Sequence, residues 1–216
     1  MGASSTEVKA VFWDFGGVLT SSPFEAFAAY ERERGLPAGF IRGINATNPD
    51  TNAWASLERG HLGMEAFVLQ FEAEALAAGT TLDARALMGT LGGELRPAMV
   101  EAVRRCHQRL KTGLLTNNFI AADEGAGVSA YAPVMEHFDV VVESSRAGMR
   151  KPDPDFYRSA CELLDVDPVE AVFLDDLGVN LKPAREMGMQ TIKVVDPDAA
   201  LAELEAVVGF GLRTDG

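Results

Sequence analysis

Val8-Lys9-Ala10-Val11-Phe12-Trp13-Asp14-Phe15-Gly16-Gly17 runs through β-branched and aromatic residues, stops at a carboxylate and breaks on two glycines. A short apolar run closed by glycines reads as a buried strand followed by a tight loop. Four comparable runs follow, at Gly113–Thr116, Phe138–Val142, Ala171–Asp175 and Thr191–Val195. Helical spacing separates them, in Met99, Val103, Cys106 and Leu110, in Phe156, Ala160, Leu163 and Leu164, and in Leu201, Leu204 and Val208. Asp153-Pro154 and Asp196-Pro197 each supply a capping carboxylate and a proline at the first helical position, where its missing N–H is not needed. Short strands alternating with longer helices predict an α/β fold with a parallel sheet covered on both faces. The stretch from Ser21 to Glu94 departs from this pattern. It shows helical periodicity over Phe24–Arg34, Met64–Ala78 and Asp83–Leu91, breaks at Gly35-Leu36-Pro37 and Asn48-Pro49-Asp50, and no strand. It reads as a helical insertion, residues 21–94, in a core made of residues 1–20 and 95–216.

The composition is that of a globular chain. Of 216 residues, 47% are hydrophobic and 24% charged, enough apolar surface to fill a core and to exclude disorder as the main state. The formal net charge of −13 argues against binding nucleic acid or an anionic membrane through bulk charge. An anionic substrate therefore needs local positive charge, including a metal ion. Cys106 and Cys161 lie within helical patterns, form no zinc-type spacing or disulfide framework, and point to a reducing cytosol. Met1-Gly2-Ala3-Ser4-Ser5-Thr6 fits the permissive myristoylation pattern and reads as a chance match in a small-residue tail. No apolar run approaches the roughly 20 residues that span a bilayer.

The C-terminal ends of parallel strands share one edge, and ligands of open α/β sheets bind beyond it. The polar residues expected there are Asp14, Thr116-Asn117-Asn118 and Asp175-Asp176, with the cationic loop Gly148-Met149-Arg150-Lys151-Pro152 beside them. Singly, each has an ordinary explanation as a turn former, a helix cap or a solvated loop. Together they bring carboxylates into mutual repulsion, which a hard, oxygen-seeking ion such as Mg²⁺ relieves. Lys151 adds a second positive charge and Thr116 a hydroxyl donor for a phosphate oxygen. Such a set suits phosphoryl transfer, where catalysis is mostly positioning and charge stabilisation. Asp14, at the tip of the first strand, is the natural nucleophile.

Asp14-Phe15-Gly16-Gly17-Val18-Leu19-Thr20, Leu115-Thr116-Asn117-Asn118, Arg150-Lys151-Pro152 and Phe173-Leu174-Asp175-Asp176 together resemble, in this order, the four motifs of the haloacid dehalogenase-like (HAD) superfamily. The run Phe173–Arg185, and Val142-Glu143-Ser144 followed by Gly148 and Lys151-Pro152-Asp153-Pro154, are especially similar to one subgroup. That subgroup holds the N-terminal phosphatase domain of soluble epoxide hydrolase and the N-terminal domain of an acyl-CoA dehydrogenase family member. The resemblance implies a Rossmann-like core of five parallel strands with an all-helical cap inserted after the first motif. It also implies roles. Asp14 would accept the phosphoryl group and ligate Mg²⁺, Thr116 and Asn117 would bind the phosphoryl group, and Lys151 would balance charge between it and Asp14. Asp176 would ligate the metal, Asp175 directly or through water, and the carbonyl of Gly16 would complete the set.

One departure from the motif falls at Gly16, where the family carries a second aspartate that protonates the leaving group and later activates water. Glycine keeps the carbonyl and loses the acid, a group that typically contributes ~10²–10⁴-fold. The expectation is a Mg²⁺-dependent phosphatase of a small or medium organic phosphate ester, acting through a phosphoaspartate and slow on ordinary alkyl phosphates. His61, Glu58 and Asp50 are the insertion's candidates for a substitute acid. The rivals are a catalytically weakened binding module and a 2-haloacid dehalogenase, whose displacement at carbon needs no divalent metal. A receiver-type phosphorylation domain shares Asp, Thr and Lys around Mg²⁺, but its acidic pair follows the first strand and it has no place for the insertion. Expected with this are a cytoplasmic monomer or homodimer, no nucleic-acid partner and no membrane insertion. Among Phe24, Phe27, Phe40, Trp54, Phe67 and Phe71, most are expected to build the insertion's own core.

Overall fold

The computed structural model describes residues 7–117 and 127–213. Asn118 and the amino-terminal myristoylation-like stretch lie outside them. In chain order the elements are β1 (Ala10–Trp13), an irregular helical turn (Phe15–Leu19), α1 (Pro23–Arg34), α2 (Phe40–Ala46), α3 (Ala53–Glu58), α4 (Met64–Ala77), α5 (Ala84–Met88), α6 (Pro97–His107) and β2 (Lys111–Thr116). Then come α7 (Gly127–Met135), β3 (Val140–Glu143), α8 (Ser144–Ala147), α9 (Pro154–Leu164), a 3₁₀ turn (Pro168–Glu170), β4 (Ala171–Asp175), α10 (Gly178–Glu186), β5 (Gln190–Lys193) and α11 (Pro197–Val208).

The five strands form one parallel sheet in the order β3-β2-β1-β4-β5. Alternation along the strands sorts side chains onto its two faces. Val11, Trp13, Leu114, Val172 and Leu174 enter one buried cluster with Met99, Val103 and Cys106 of α6 and Leu201 and Leu204 of α11. Ala10, Phe12, Leu115 and Phe173 enter the other, with Phe156, Ala160 and Leu164 of α9 and Leu181 of α10. The central strands are therefore apolar throughout, because both faces are covered. Asp153 and Asp196 cap α9 and α11 by accepting from the N–H groups of Asp155 and Ala199, with Pro154 and Pro197 in the first helical positions. The third strand starts two residues later than the expected Phe138, because Asp139 turns back: its carboxylate accepts from the Thr112 N–H at 2.7 Å and the Thr112 hydroxyl at 3.1 Å.

Between β1 and α6 the chain is helical and packs on itself. Phe27, Ile41, Phe67, Phe71 and Leu87 form a third buried cluster, against which Trp54, Phe24 and Phe40 are partly buried. Two of its helices were not expected from periodicity. α2 is seven residues long and is anchored by buried Glu31, whose carboxylate accepts from the N–H groups of Gly39 and Ile41 at 2.7 and 2.9 Å. α3 has six residues and is capped by Asn52, which accepts from the Ala55 N–H. Runs this short are fixed by caps and tertiary contacts, and a hydrophobic period does not declare them. Entry and exit lie side by side: Thr20 and Leu95 form an isolated antiparallel bridge, and the Ser21 N–H donates to the Glu94 carbonyl at 3.1 Å. The helical stretch thus hangs from a two-strand neck directly above the end of β1. Among the described residues no helix is long and apolar enough to cross a membrane.

Candidate active site

Strand order reverses at β1, which is flanked by β2 on one side and β4 on the other. The crevice beyond such a point is where an α/β sheet offers polar groups to a ligand. Asp14 follows β1, Thr116 ends β2 and Asp175 ends β4, all buried. Lys151 reaches in from the loop before α9 and is only 1% exposed. Its Nζ lies 2.7 Å from Asp14 Oδ1 and 2.7 Å from Asp175 Oδ2, so one ammonium joins the tips of two neighbouring strands. Asn117 fixes the lysine's backbone: its Oδ1 accepts from the Lys151 N–H at 2.8 Å and its Nδ2 donates to the Lys151 carbonyl at 2.9 Å. Both ends of the Asn117 amide are thereby engaged within the protein.

Asp175 is equally occupied. Its Oδ1 accepts from the Leu177 N–H at 2.8 Å, Asn180 Nδ2 lies 3.1 Å from both oxygens, and Oδ2 takes the lysine. Asp14 differs. Its Oδ1 accepts from the Phe15 N–H at 2.7 Å as well as from Lys151. Among the described residues both of its carboxylate's partners fall on Oδ1, so Oδ2 is left for an incoming group. One oxygen from each of Asp14, Asp175 and Asp176 lies within 4.8 Å of the other two. Burial, opposed by Lys151 and reinforced by Asp175, pushes the Asp14 carboxyl up to about 8. Burial and then Asp175 push Asp176 up to about 6. Burial also works against the charge of Lys151, but Asp14 and Asp175 outweigh it and hold the ammonium above its usual pKa. Three carboxylates against one lysine leave an uncompensated negative site of hard oxygen donors, and that donor set fits Mg²⁺.

The turn after β1 is cut to this arrangement. Gly17 has φ +81°, and a Cβ there would stand 2.4 Å from Asp176 Oδ2. Arg96 donates to the Gly17 carbonyl at 2.9 Å and holds the turn from the other side. Gly17→Ala combines a left-handed backbone costing about 1–2 kcal/mol with a forced shift of the Asp176 carboxylate. A titration of the variant with Mg²⁺ is expected to show affinity lowered by about 10–100-fold, the usual effect of disturbing a ligand's support. An unchanged affinity would remove Asp176 from the metal set. Gly16 is another matter. Its φ −71° and ψ 128° suit any residue, and a Cβ would meet only the Pro23 ring at 3.3 Å. Of the two glycines only Gly17 needs a positive φ, and the backbone dihedrals at position 16 do not require it to lack a side chain.

A cavity of ≈ 490 Å³ opens above these groups, with Asp14, Gly16, Thr116, Asn117, Lys151 and Asp176 in its floor. Phe24, Phe27, Trp54, Leu91 and Val179 contribute apolar walls. Of the six aromatic residues singled out in the insertion, Phe27, Phe67 and Phe71 are buried in its core and Phe24, Phe40 and Trp54 pack against it, while Phe24, Phe27 and Trp54 also line the cavity. Trp54 stands edge-on to Phe27 at 5.4 Å, and the Arg42 guanidinium lies 4.6 Å over Phe24. Glu58, buried on α3, meets Arg150 of the loop that carries Lys151 in a close ion pair, and its Oε1 accepts from Trp54 Nε1 at 3.0 Å. Burial pushes the Glu58 carboxyl up, against the pull of Arg150 and Trp54. Arg150 also donates to the Pro49 carbonyl at 2.6 Å, so it ties the insertion to the core at two points. Asp50 lines the cavity with a side chain 85% exposed, and His61 is not among the residues that line it.

Sequence reasoning thus missed Asn180, Arg96 and the Glu58–Arg150 link. Asn180 stands five residues after Asp175, one turn into α10, which is a local signal of support for that carboxylate. The other two depend on chain segments that only folding brings together.

A family model described as haloacid dehalogenase-like hydrolase matches residues 8–188. Acyl-CoA dehydrogenase family member 10 of Mus musculus is 36% identical over 211 residues, covering 95% of this chain and 20% of that protein. Bifunctional epoxide hydrolase 2 of Sus scrofa is 32% identical over 219 residues, covering 95% of this chain and 40% of that protein. The chain therefore spans only a fifth to two fifths of these relatives. In fold it resembles a HAD family enzyme from Bacteroides thetaiotaomicron in complex with magnesium and inorganic phosphate, with a TM-score of 0.61, 19% identity, and coverage of 86% of this chain and 93% of the other.

Proposed function

The chain belongs to the haloacid dehalogenase-like hydrolases, and from that premise we propose that it is a Mg²⁺-dependent phosphatase of a small or medium organic phosphate. Asp14 Oδ2 attacks phosphorus and the leaving oxygen departs into the cavity. Water then hydrolyses the phosphoaspartate. Lys151 holds Oδ1, favours the ionised form of the carboxylate against its burial and faces the phosphoryl oxygens with positive charge. The Thr116 hydroxyl donates to one of those oxygens, and Asn117 acts by locking the lysine's backbone. Asp14, Asp176 and the Gly16 carbonyl would hold the ion, with Asp175 behind them through water because both of its oxygens are engaged. When bound, the ion neutralises the charge gathered on the transferring group. Residues 21–94 act as a cap, setting the substrate with the walls they lend to the cavity. The two buried free cysteines, Cys106 and Cys161, support a cytoplasmic setting.

The observation that carries this reading is the nucleophile's environment: among the described residues Asp14 has one oxygen held by an ammonium and the other without a partner, in the floor of a cavity that it shares with Thr116 and Asp176. Chelation tests it. Turnover of a generic phosphate ester is expected to vanish in excess chelator and to return with added Mg²⁺. Turnover undiminished by chelator would instead support displacement at carbon by the same aspartate, the dehalogenase reading. The bare Gly16 favours a second reading, a binding module that takes up phosphate without turning it over. Phosphate binding without any release from esters would support it.

A further inference from the structure

The backbone at position 16 suits any residue, and a side chain there would press only on the Pro23 ring at 3.3 Å, yet the position carries none. Among the described residues that line the cavity, Asp14 and Asp176 apart, no other acid stands ready. Glu58 has Oε1 on Trp54 and Oε2 on Arg150. Asp50 points largely into solvent. Lys151 is bound to two carboxylates. The walls meanwhile present the aromatic side chains of Phe24, Phe27 and Trp54. We propose that the site is built for phosphate monoesters of acidic hydroxyls, aryl phosphates above all, and that phosphoryl-Asp14 accumulates during turnover. This rests on the phosphatase reading of the same site.

The chemistry follows from the missing acid. In the first step a bond forms between Asp14 Oδ2 and phosphorus, the bond from phosphorus to the aryl oxygen breaks, and the electron pair leaves on that oxygen. An aryloxide has a conjugate acid of pKa about 10, as in tyrosine, and can leave unprotonated. An alkoxide is about as basic as hydroxide, whose conjugate acid lies near 15.7, and needs the proton that position 16 does not supply. In the second step water attacks phosphorus, its proton passes to solvent, and Asp14 is released with inorganic phosphate. That step also lacks its base, for every substrate alike. Formation of phosphoryl-Asp14 is therefore fast with aryl esters, and its hydrolysis limits turnover.

The test uses 4-nitrophenyl, phenyl and cyclohexyl phosphate with Mg²⁺, the last two being matched in size. kcat/KM, which reports the first step, is expected to fall along the series, by at least about 10²-fold between phenyl and cyclohexyl phosphate, the lower end of what a general acid contributes. kcat is expected to be equal for the two aryl esters, with a burst of one aryl alcohol per chain before steady state. Gly16→Asp should raise kcat/KM for cyclohexyl phosphate most and abolish the burst. Glu58→Gln should leave the slope of the series as it is, whatever it does to the absolute rates. Equal kcat/KM for phenyl and cyclohexyl phosphate, or a slope steepened by Glu58→Gln, would overturn the inference and leave the phosphatase reading standing. No turnover of any ester, with no phosphoryl group on Asp14, would overturn the reading beneath it.

Discussion

Asp14→Asn is expected to lower phosphate-ester turnover by at least about 10³-fold, since removal of a covalent nucleophile takes away both steps of the reaction. The fold should survive. Asparagine has the same shape, can still accept from the Phe15 N–H, and ends the repulsion of Asp14 by Asp175 and Asp176. It loses one ion pair to Lys151, but that lysine keeps Asp175 at 2.7 Å. In chelator, where no cation offsets the carboxylates, the variant's melting temperature is therefore expected not to fall below that of the parent chain. Initial rates and thermal melts on the two proteins check both halves. Turnover within about tenfold of the parent would move the nucleophile elsewhere, because one unaided water route cannot replace covalent catalysis so closely.

Lys151→Met carries the second large effect, on stability as well as rate. The ammonium is buried and sits between two carboxylates that belong to adjacent strands. Removing it leaves Asp14 and Asp175 without their shared counter-charge, and breaking a buried pair from one side costs about 3–5 kcal/mol. Asp175 keeps the Leu177 N–H and Asn180, so its share is softened, whereas Asp14 keeps only the Phe15 N–H among the described residues. The loss should be largest in chelator and should grow as pH rises above the carboxylates' unfolded range, where they ionise with no ammonium beside them. Mg²⁺ should restore part of the stability, since the ion supplies positive charge at the same place, but not the turnover. Chemical denaturation with and without Mg²⁺ measures this. A variant as stable as the parent under both conditions would mean that the ammonium contributes no net stabilisation there.

The sheet was legible because its strands are pure signals. Ala10–Trp13 and Ala171–Leu174 are apolar on both faces, each is followed by an aspartate, and they became neighbouring strands at the crevice. Their ends alone place Asp14 and Asp175 side by side, since β1 and β4 pair in register with Trp13 opposite Leu174. Helix α4 was equally clear from its aromatic spacing. Helices α2 and α3 were not, because they owe their existence to Glu31 and Asn52, whose partners lie outside any regular period. In the candidate site, residue types were readable and their mutual restraint was not. Nothing in the order of residues says that Asn117 commits both ends of its amide to the Lys151 backbone, or that Gly17 is there to make room for Asp176. The pairing of Glu58 with Arg150 joins positions 92 apart and depends on how the insertion sits over the sheet.

Asp14→Asn also supplies the control for the most direct measurement of whether Asp14 takes up phosphorus. The protein is mixed with 4-nitrophenyl phosphate and Mg²⁺, quenched in acid during the burst and mapped by peptide mass. One phosphoryl group on the peptide carrying Asp14, absent from Asp14→Asn and from a sample quenched after chelation, is the expected result. A phosphoryl group found on another residue, or turnover proceeding with Asp14 never modified, would contradict the account.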